Sequence, residues 1–127
     1  GASHAADAPS LIGIWYSAFQ PDEPGVMGLI EFKADGTFNE EFRKCENGDS
    51  VGSYFETGRW TLMDGIERVF VETINGERTK GEDVYSVELL TDTERKILFK
   101  DKENGKELEF YSRKVNEFKF PECPTGT

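Results

Sequence analysis

Residues 53 to 74 read SYFETGRWTLMDGIERVFVETI, two runs rich in apolar and β-branched residues that meet at Asp64-Gly65. Successive side chains of a strand point to opposite faces, so Trp60 and Leu62 share one face and the residues between them share the other. An Asp-Gly dipeptide readily adopts the positive φ angles that a tight hairpin requires. The stretch therefore predicts two antiparallel strands joined by a two-residue turn.

The same pattern extends over most of the chain. Turn signals recur at Asp35-Gly36, Asn47-Gly48, Asn75-Gly76, Thr91-Asp92-Thr93 and Asn104-Gly105. The segments between them favour strands because they are rich in aromatic and β-branched residues. We predict eight strands, over residues 11–19, 28–34, 37–45, 53–63, 67–74, 83–91, 96–101 and 107–115, with a helical turn around residues 9–12 before the first.

Eight strands joined mostly by hairpins predict an all-β fold, an eight-stranded antiparallel up-and-down β-barrel, because closure removes the exposed sheet edges. A β-sandwich is the alternative, but it usually needs long crossovers, and only residues 20–27 and 75–82 offer them. A length of 127 residues suits one domain. We expect a disordered segment over residues 1–9, the barrel over 10–117 and a tethered tail over 118–127.

Composition excludes two classes of partner. The chain has 25 acidic and 15 basic residues, giving a formal net charge of −10. Nucleic-acid binding depends on clustered Lys and Arg, so we expect no nucleic-acid partner. Charged residues interrupt every apolar run, so we expect no transmembrane segment.

The sequence lacks the residues of the common catalytic and metal centres. Its only histidine, His4, lies in the segment predicted to be disordered, so His-based general bases and zinc, haem or copper sites are not expected. A pair of carboxylates could serve as acid and base, but chance pairs are expected among 25 acidic residues. We predict a protein without catalytic activity, metal or cofactor.

The two cysteines bear on the compartment. Cys45 ends a predicted strand and Cys123 lies in a proline-stiffened tail. A disulfide between them would close a loop of nearly eighty residues and stabilise the fold by roughly 4 kcal/mol in the chain-entropy model; two unpaired thiols are the alternative. The small residues at the N-terminus resemble those beside a signal-peptidase site. Together these features favour a periplasmic or secreted protein.

Two short motifs resemble the lipocalins and the wider calycin superfamily, and suggest a bacterial member. Gly13-Ile14-Trp15 matches the Gly-x-Trp opening of the first strand, and Arg113 matches an arginine of the last strand. The resemblance implies structural roles for Gly13, Trp15 and Arg113, with Trp15 closing one barrel end and Arg113 stacked across it. It also implies a disulfide that tethers the C-terminal tail to the barrel. The family's middle motif is matched only loosely, by residues 83–85.

The last strand contains a conflict of parity. The two-residue period of a strand places Leu108 and Phe110 on one face, and Tyr111 and Arg113 on the other. A β-bulge near Tyr111, or an arginine that wraps around the rim, would reconcile the pattern with an inward role for Arg113.

Inward aromatic residues of the middle strands are the candidate ligand contacts. Glu40 and Glu56 share parity with these apolar faces, and a buried carboxylate must be paired or protonated. Arg43, Arg59 and Arg68 are candidate partners, and a position exposed to water at the barrel mouth is the alternative. The predicted ligand-binding residues are Phe32, Phe38, Phe42, Tyr54, Glu56, Trp60, Phe70 and Phe99.

Two functions are consistent with these features. The first is an exported lipocalin-like protein that binds a small apolar or amphipathic ligand in its interior. The second is a barrel filled by side chains that acts as an envelope interaction module or inhibitor, whose acidic surface recognises a basic protein partner.

Overall fold

The computed structural model describes residues 8–20 and 23–125 and forms a closed antiparallel barrel of eight strands in sequence order. A short helix, α1 (Ala8–Leu11), precedes the strands. The strands are β1 (Gly13–Ala18), β2 (Val26–Phe32), β3 (Thr37–Glu46), β4 (Asp49–Met63), β5 (Ile66–Ile74), β6 (Glu77–Leu90), β7 (Glu94–Lys100) and β8 (Glu107–Val115). The predicted fold class is confirmed.

Several predicted boundaries were wrong. Five strands begin earlier than expected: β2 at Val26, β4 at Asp49, β5 at Ile66, β6 at Glu77 and β7 at Glu94. As a result Asn75-Gly76 is a tight hairpin, with φ angles of 51° and 81°, and residues 75–82 are not a long connection. The helix starts at Ala8, inside the segment predicted to be disordered; residues 1–7, which include His4, lie outside the described residues.

The end of the barrel near α1, here called the closed end, is packed with apolar side chains. Trp15 is 1% exposed and donates a hydrogen bond from Nε1 to the Leu11 carbonyl oxygen at 2.8 Å. Trp60 donates to the Lys33 carbonyl oxygen at 3.0 Å and meets Phe32 edge-on at 5.4 Å. The indole groups thus bury apolar surface while their N–H groups stay hydrogen-bonded.

The glycine at position 58 allows β4 and β5 to approach each other at a bulge. The register between these strands shifts at Thr57/Gly58. A Cβ atom on Gly58 would overlap the Phe70 carbonyl oxygen and crowd the Phe38 ring. Any larger residue would therefore push the strands apart, so this inward position of the β4 pattern is glycine.

The C-terminal tail packs on the outside of the barrel. A disulfide joins Cys45 of β3 to Cys123 with a Cα–Cα distance of 5.5 Å, as predicted. Phe120 of the tail packs in a cluster with Met27 and Leu29, two outward residues of β2 that are fully buried. This second apolar cluster explains why β2 is apolar on both faces.

No helix among the described residues is long and apolar enough to cross a membrane.

The expected stacking of Arg113 on Trp15 is absent, and that prediction was wrong. Arg113 pairs across from Tyr16 on the outer face and lies 5.1 Å from its ring centroid. Lys114, opposite Trp15, places its Nζ 5.3 Å from the indole and covers Gly13. The β7–β8 ladder runs without a bulge at Tyr111, so the parity of the last strand sends Lys114 inward and Arg113 outward.

Candidate functional site

A cavity of about 160 Å³ lies inside the barrel, above the packed closed end. Trp15 forms part of its floor, and residues of the β1–β2 connection, Gln20 and Glu23, border it toward the opposite end. This volume is close to that of an engineered ~150 Å³ cavity that holds benzene, and below the ~300 Å³ of the smallest drug-sized pockets. The space suits a molecule of about one aromatic ring and excludes a fully enclosed long acyl chain.

The cavity lies beside the seam where the barrel closes. Among the described residues, β1 and β8 pair at only three positions, Ile14 to Tyr16. Beyond these positions the side-chain amide of Gln20 bonds to the backbone of β8. Its Oε1 accepts a hydrogen bond from the Tyr111 N–H at 3.0 Å, and its Nε2 donates one to the Tyr111 carbonyl oxygen at 3.2 Å. The seam is therefore held by one side chain at the level of the cavity.

A buried ion pair crosses the lumen on one side of the cavity. Glu67 is fully buried and Arg95 is 7% exposed. Arg95 donates from Nε and Nη2 to the two carboxylate oxygens of Glu67 at 3.0 and 2.7 Å, and from Nη1 to Ser112 Oγ at 3.0 Å. This bidentate geometry satisfies both charges, as a buried pair requires.

Three further carboxylates face the interior. Glu40 lies opposite Ile30 of β2 on one side and Glu56 of β4 on the other. Asp83 extends from β6, opposite Val69. No hydrogen bond from a described residue reaches any of these three carboxylates.

Burial and mutual repulsion make these carboxyl groups hard to ionise. Burial raises the pKa of Glu40 well above its usual value, and the charge of Glu56 raises it further, against the opposing effect of Arg95. Burial also raises the pKa of Glu56, with a contribution from Asp83, and burial alone raises the pKa of Asp83. The inner wall is thus an acidic environment with a single guanidinium, already engaged.

Aromatic rings complete the wall. The Tyr85 ring lies 6.0 Å from Phe99 and 6.3 Å from Phe110. Burial raises the pKa of the Tyr85 phenol, and its hydroxyl has no hydrogen bond with a described residue. Phe42 lines the cavity and stacks on Tyr54, whose pKa burial raises to about 12. The lumen can therefore contact both an apolar ring and a polar group of the same small molecule.

Only some of the predicted ligand-binding residues lie at the cavity. Phe42 lines the cavity, and Tyr54 and Glu56 lie beside it on the inner face. The closed-end core contains Phe32, Phe38 and Trp60, while Phe99 packs on Tyr85.

The placement of Phe70 was wrong. Val69 and Val71 are the buried, inward residues of β5, so the intervening Phe70 faces a groove on the outside. The candidate arginine partners also lie elsewhere, because Arg43, Arg59 and Arg68 pair with Glu41, Glu72 and Glu82.

The sequence interpretation missed most of the polar lining, although a signal was present. Glu67 is two residues before Val69, and Asp83 two before Tyr85, so the strand period places each on the inner face. Arg95 is two residues before Ile97 in the same way. The polar cavity-lining residues outside the predicted set are Ser17, Gln20, Glu23, Glu40, Glu67, Asp83, Tyr85, Arg95, Tyr111 and Ser112.

No protein-family model matches the chain, and no curated protein does either.

Proposed function

We propose that this protein is a lipocalin-like carrier, exported from the cell, that binds one small amphipathic molecule inside its barrel without transforming it. The observation that carries the proposal is the cavity of about 160 Å³, enclosed by both apolar and polar side chains. A barrel with no ligand would gain packing energy by filling that space with larger side chains. The disulfide supports export, because such bonds persist in oxidising compartments.

Native mass spectrometry of the protein recovered from its own cells tests this proposal. We expect one bound molecule, and its loss in Val26→Phe, which adds a ring to the cavity lining. Val84→Phe is the matched control, because Val84 lies on the outer face of β6 and is 37% exposed. Absence of a bound molecule, or equal occupancy in the two variants, would contradict binding in the cavity.

A second candidate function is recognition of a basic protein partner, as an inhibitor or envelope assembly factor. Residues 49–55 of β4 pair with β3 but extend past the β4–β5 ladder. This segment exposes Val51 and Phe55, 50% and 49% accessible, in the same hairpin as the exposed acidic residues Glu46 and Asp49. If this hairpin binds a basic partner, Phe55→Ser should reduce its capture and Val84→Ser should not.

A further inference from the structure

The inner wall carries more carboxyl groups than its own cations can pair. Four carboxyl groups on the strands face the interior, those of Glu40, Glu56, Glu67 and Asp83, against one inward guanidinium at this level, that of Arg95. Arg95 commits two of its nitrogens to Glu67 and a third to Ser112. Three carboxylates therefore remain without a cation in direct contact.

Glu40 is the carboxylate best placed to meet a ligand. It lines the cavity and keeps a small accessible area on that side, while protein surrounds it elsewhere. It receives no hydrogen bond from a described residue. Its oxygens are reachable from the cavity and no described residue bonds to them, so a donor group on a molecule in the cavity can pair with this carboxylate.

These carboxyl groups are not arranged like the ligands of a metal ion. Among residues 8–20 and 23–125, no three carboxylate, thiol or imidazole side chains converge as metal ligands do. The acidic side chains instead lie on different strands around the lumen, with Glu40 on β3 and Asp83 on β6. Such spacing leaves room for a larger cation.

The rest of the lining fits an organic body. The rings of Phe42, Tyr85 and Phe110 border the same space as Glu40. Aromatic faces attract ammonium groups, by about 0.5 to 2 kcal/mol depending on desolvation. A volume of about 160 Å³ admits one ring with a short substituent.

We propose that the ligand is a small organic amine whose ammonium group forms an ion pair with Glu40 and whose apolar body packs against Phe42, Tyr85 and Phe110. This inference rests on the proposed function, since it specifies the chemical class of the molecule bound in the cavity. Asp83, on the facing wall, adds to the attraction for the cation without being required to touch it.

Three probes of similar size and different charge test the proposal: benzylamine, benzyl alcohol and benzoate. Isothermal titration calorimetry at pH 7.5 should show benzylamine binding at least tenfold more tightly than benzyl alcohol, with benzoate the weakest. If the three bind alike, or benzoate binds best, the amine proposal is wrong while binding in the cavity stands. If none binds and no molecule is recovered with the native protein, the proposed function itself fails.

Two variants assign the preference to Glu40. Glu40→Gln removes the charge at nearly constant volume, and we expect it to reduce the tenfold preference to threefold or less while benzyl alcohol binds as before. Glu41→Gln is the control, because the neighbouring Glu41 faces outward and pairs with Arg43 at 3.2 Å. An unchanged preference in Glu40→Gln, or an equal loss in both variants, would overturn the assignment.

Discussion

The buried ion pair of Arg95 and Glu67 is joined by two hydrogen bonds inside the lumen. Removing one member leaves a desolvated charge, whereas replacing both by apolar residues is often neutral. We therefore expect Arg95→Met to lower the free energy of unfolding by about 3 to 5 kcal/mol in urea denaturation, and Glu67→Leu/Arg95→Met to recover most of that loss.

The exposed pair of Arg68 and Glu82, with N–O distance 3.6 Å, provides a comparison. Arg68→Met should cost about 1 kcal/mol or less, because surface pairs are screened by water and salt. Equal losses for Arg95→Met and Arg68→Met would contradict the role assigned to the buried pair.

Glu40 should make stability depend on pH in the direction opposite to most carboxylates. Its folded-state pKa lies above its unfolded value near 4.5, so the folded form holds its proton more tightly. Stability should therefore rise as pH falls from 8 toward 5, and be lost as pH rises through the raised pKa. The titratable and charged groups that interact with it from the surrounding strands are Tyr54, Glu56, Glu67, Asp83, Tyr85 and Arg95.

Thermal unfolding of Glu40→Gln measures this effect. The variant should melt at a higher temperature than the native protein at pH 8, with a smaller difference at pH 5, because it carries no buried charge to suppress. A melting temperature that falls equally at both pH values would indicate a structural role for the carboxyl group instead.

For single residues, the sequence predicted which face of a strand a side chain lies on better than it predicted the contacts of that side chain. Parity correctly placed Glu56 inward beside Tyr54, and the same rule would have placed Glu67, Asp83 and Arg95 inward as well. Lys114, and not the predicted Arg113, lies over Trp15. This depends on the register of β8 against β1, which no local sequence pattern specifies.

The tail is held to the barrel by covalent and apolar contacts together. The disulfide joins Cys45 and Cys123, which are 78 positions apart in the sequence. Phe120 covers Met27 and Leu29, and the Arg43 guanidinium lies 4.6 Å from the Phe120 ring centroid. Releasing the tail would expose part of this outer apolar cluster to water.

We expect Cys45→Ser/Cys123→Ser to fold but to lose up to about 4 kcal/mol of unfolding free energy, the value of the chain-entropy model for such a loop. Hydrogen exchange should then increase in the backbone of residues 116–125 and around Met27. Unchanged protection in those segments would mean that Phe120 alone holds the tail.

Hairpins were the most predictable elements, because Asn47, Asp64 and Asn75 each adopt a positive φ followed by a glycine that does the same. Strand lengths were less predictable. The start of β6 is polar and exposed on both faces, so it lacks the apolar alternation that signals a strand. This part of β6 is a strand because its backbone pairs with that of β5.

Acidic residues occur on both surfaces of the barrel, the outer face and the lumen. Most of the acidic residues in the described part of the chain lie on the outside, but a few line the lumen. The barrel could be predicted from the number of strands and hairpins. The cavity could not, because its volume depends on how side chains of different strands meet, such as Trp15, Glu67 and Phe42.

Isotope-filtered NOE spectroscopy with benzylamine and ¹³C-labelled protein shows whether a small amine binds inside the barrel or on its outer surface. We expect contacts from the ring protons of benzylamine to the methyl groups of Ile30, Val69 and Ile97, which line the cavity. Contacts confined to Val84, on the outer face of β6, would show that the amine binds outside the barrel.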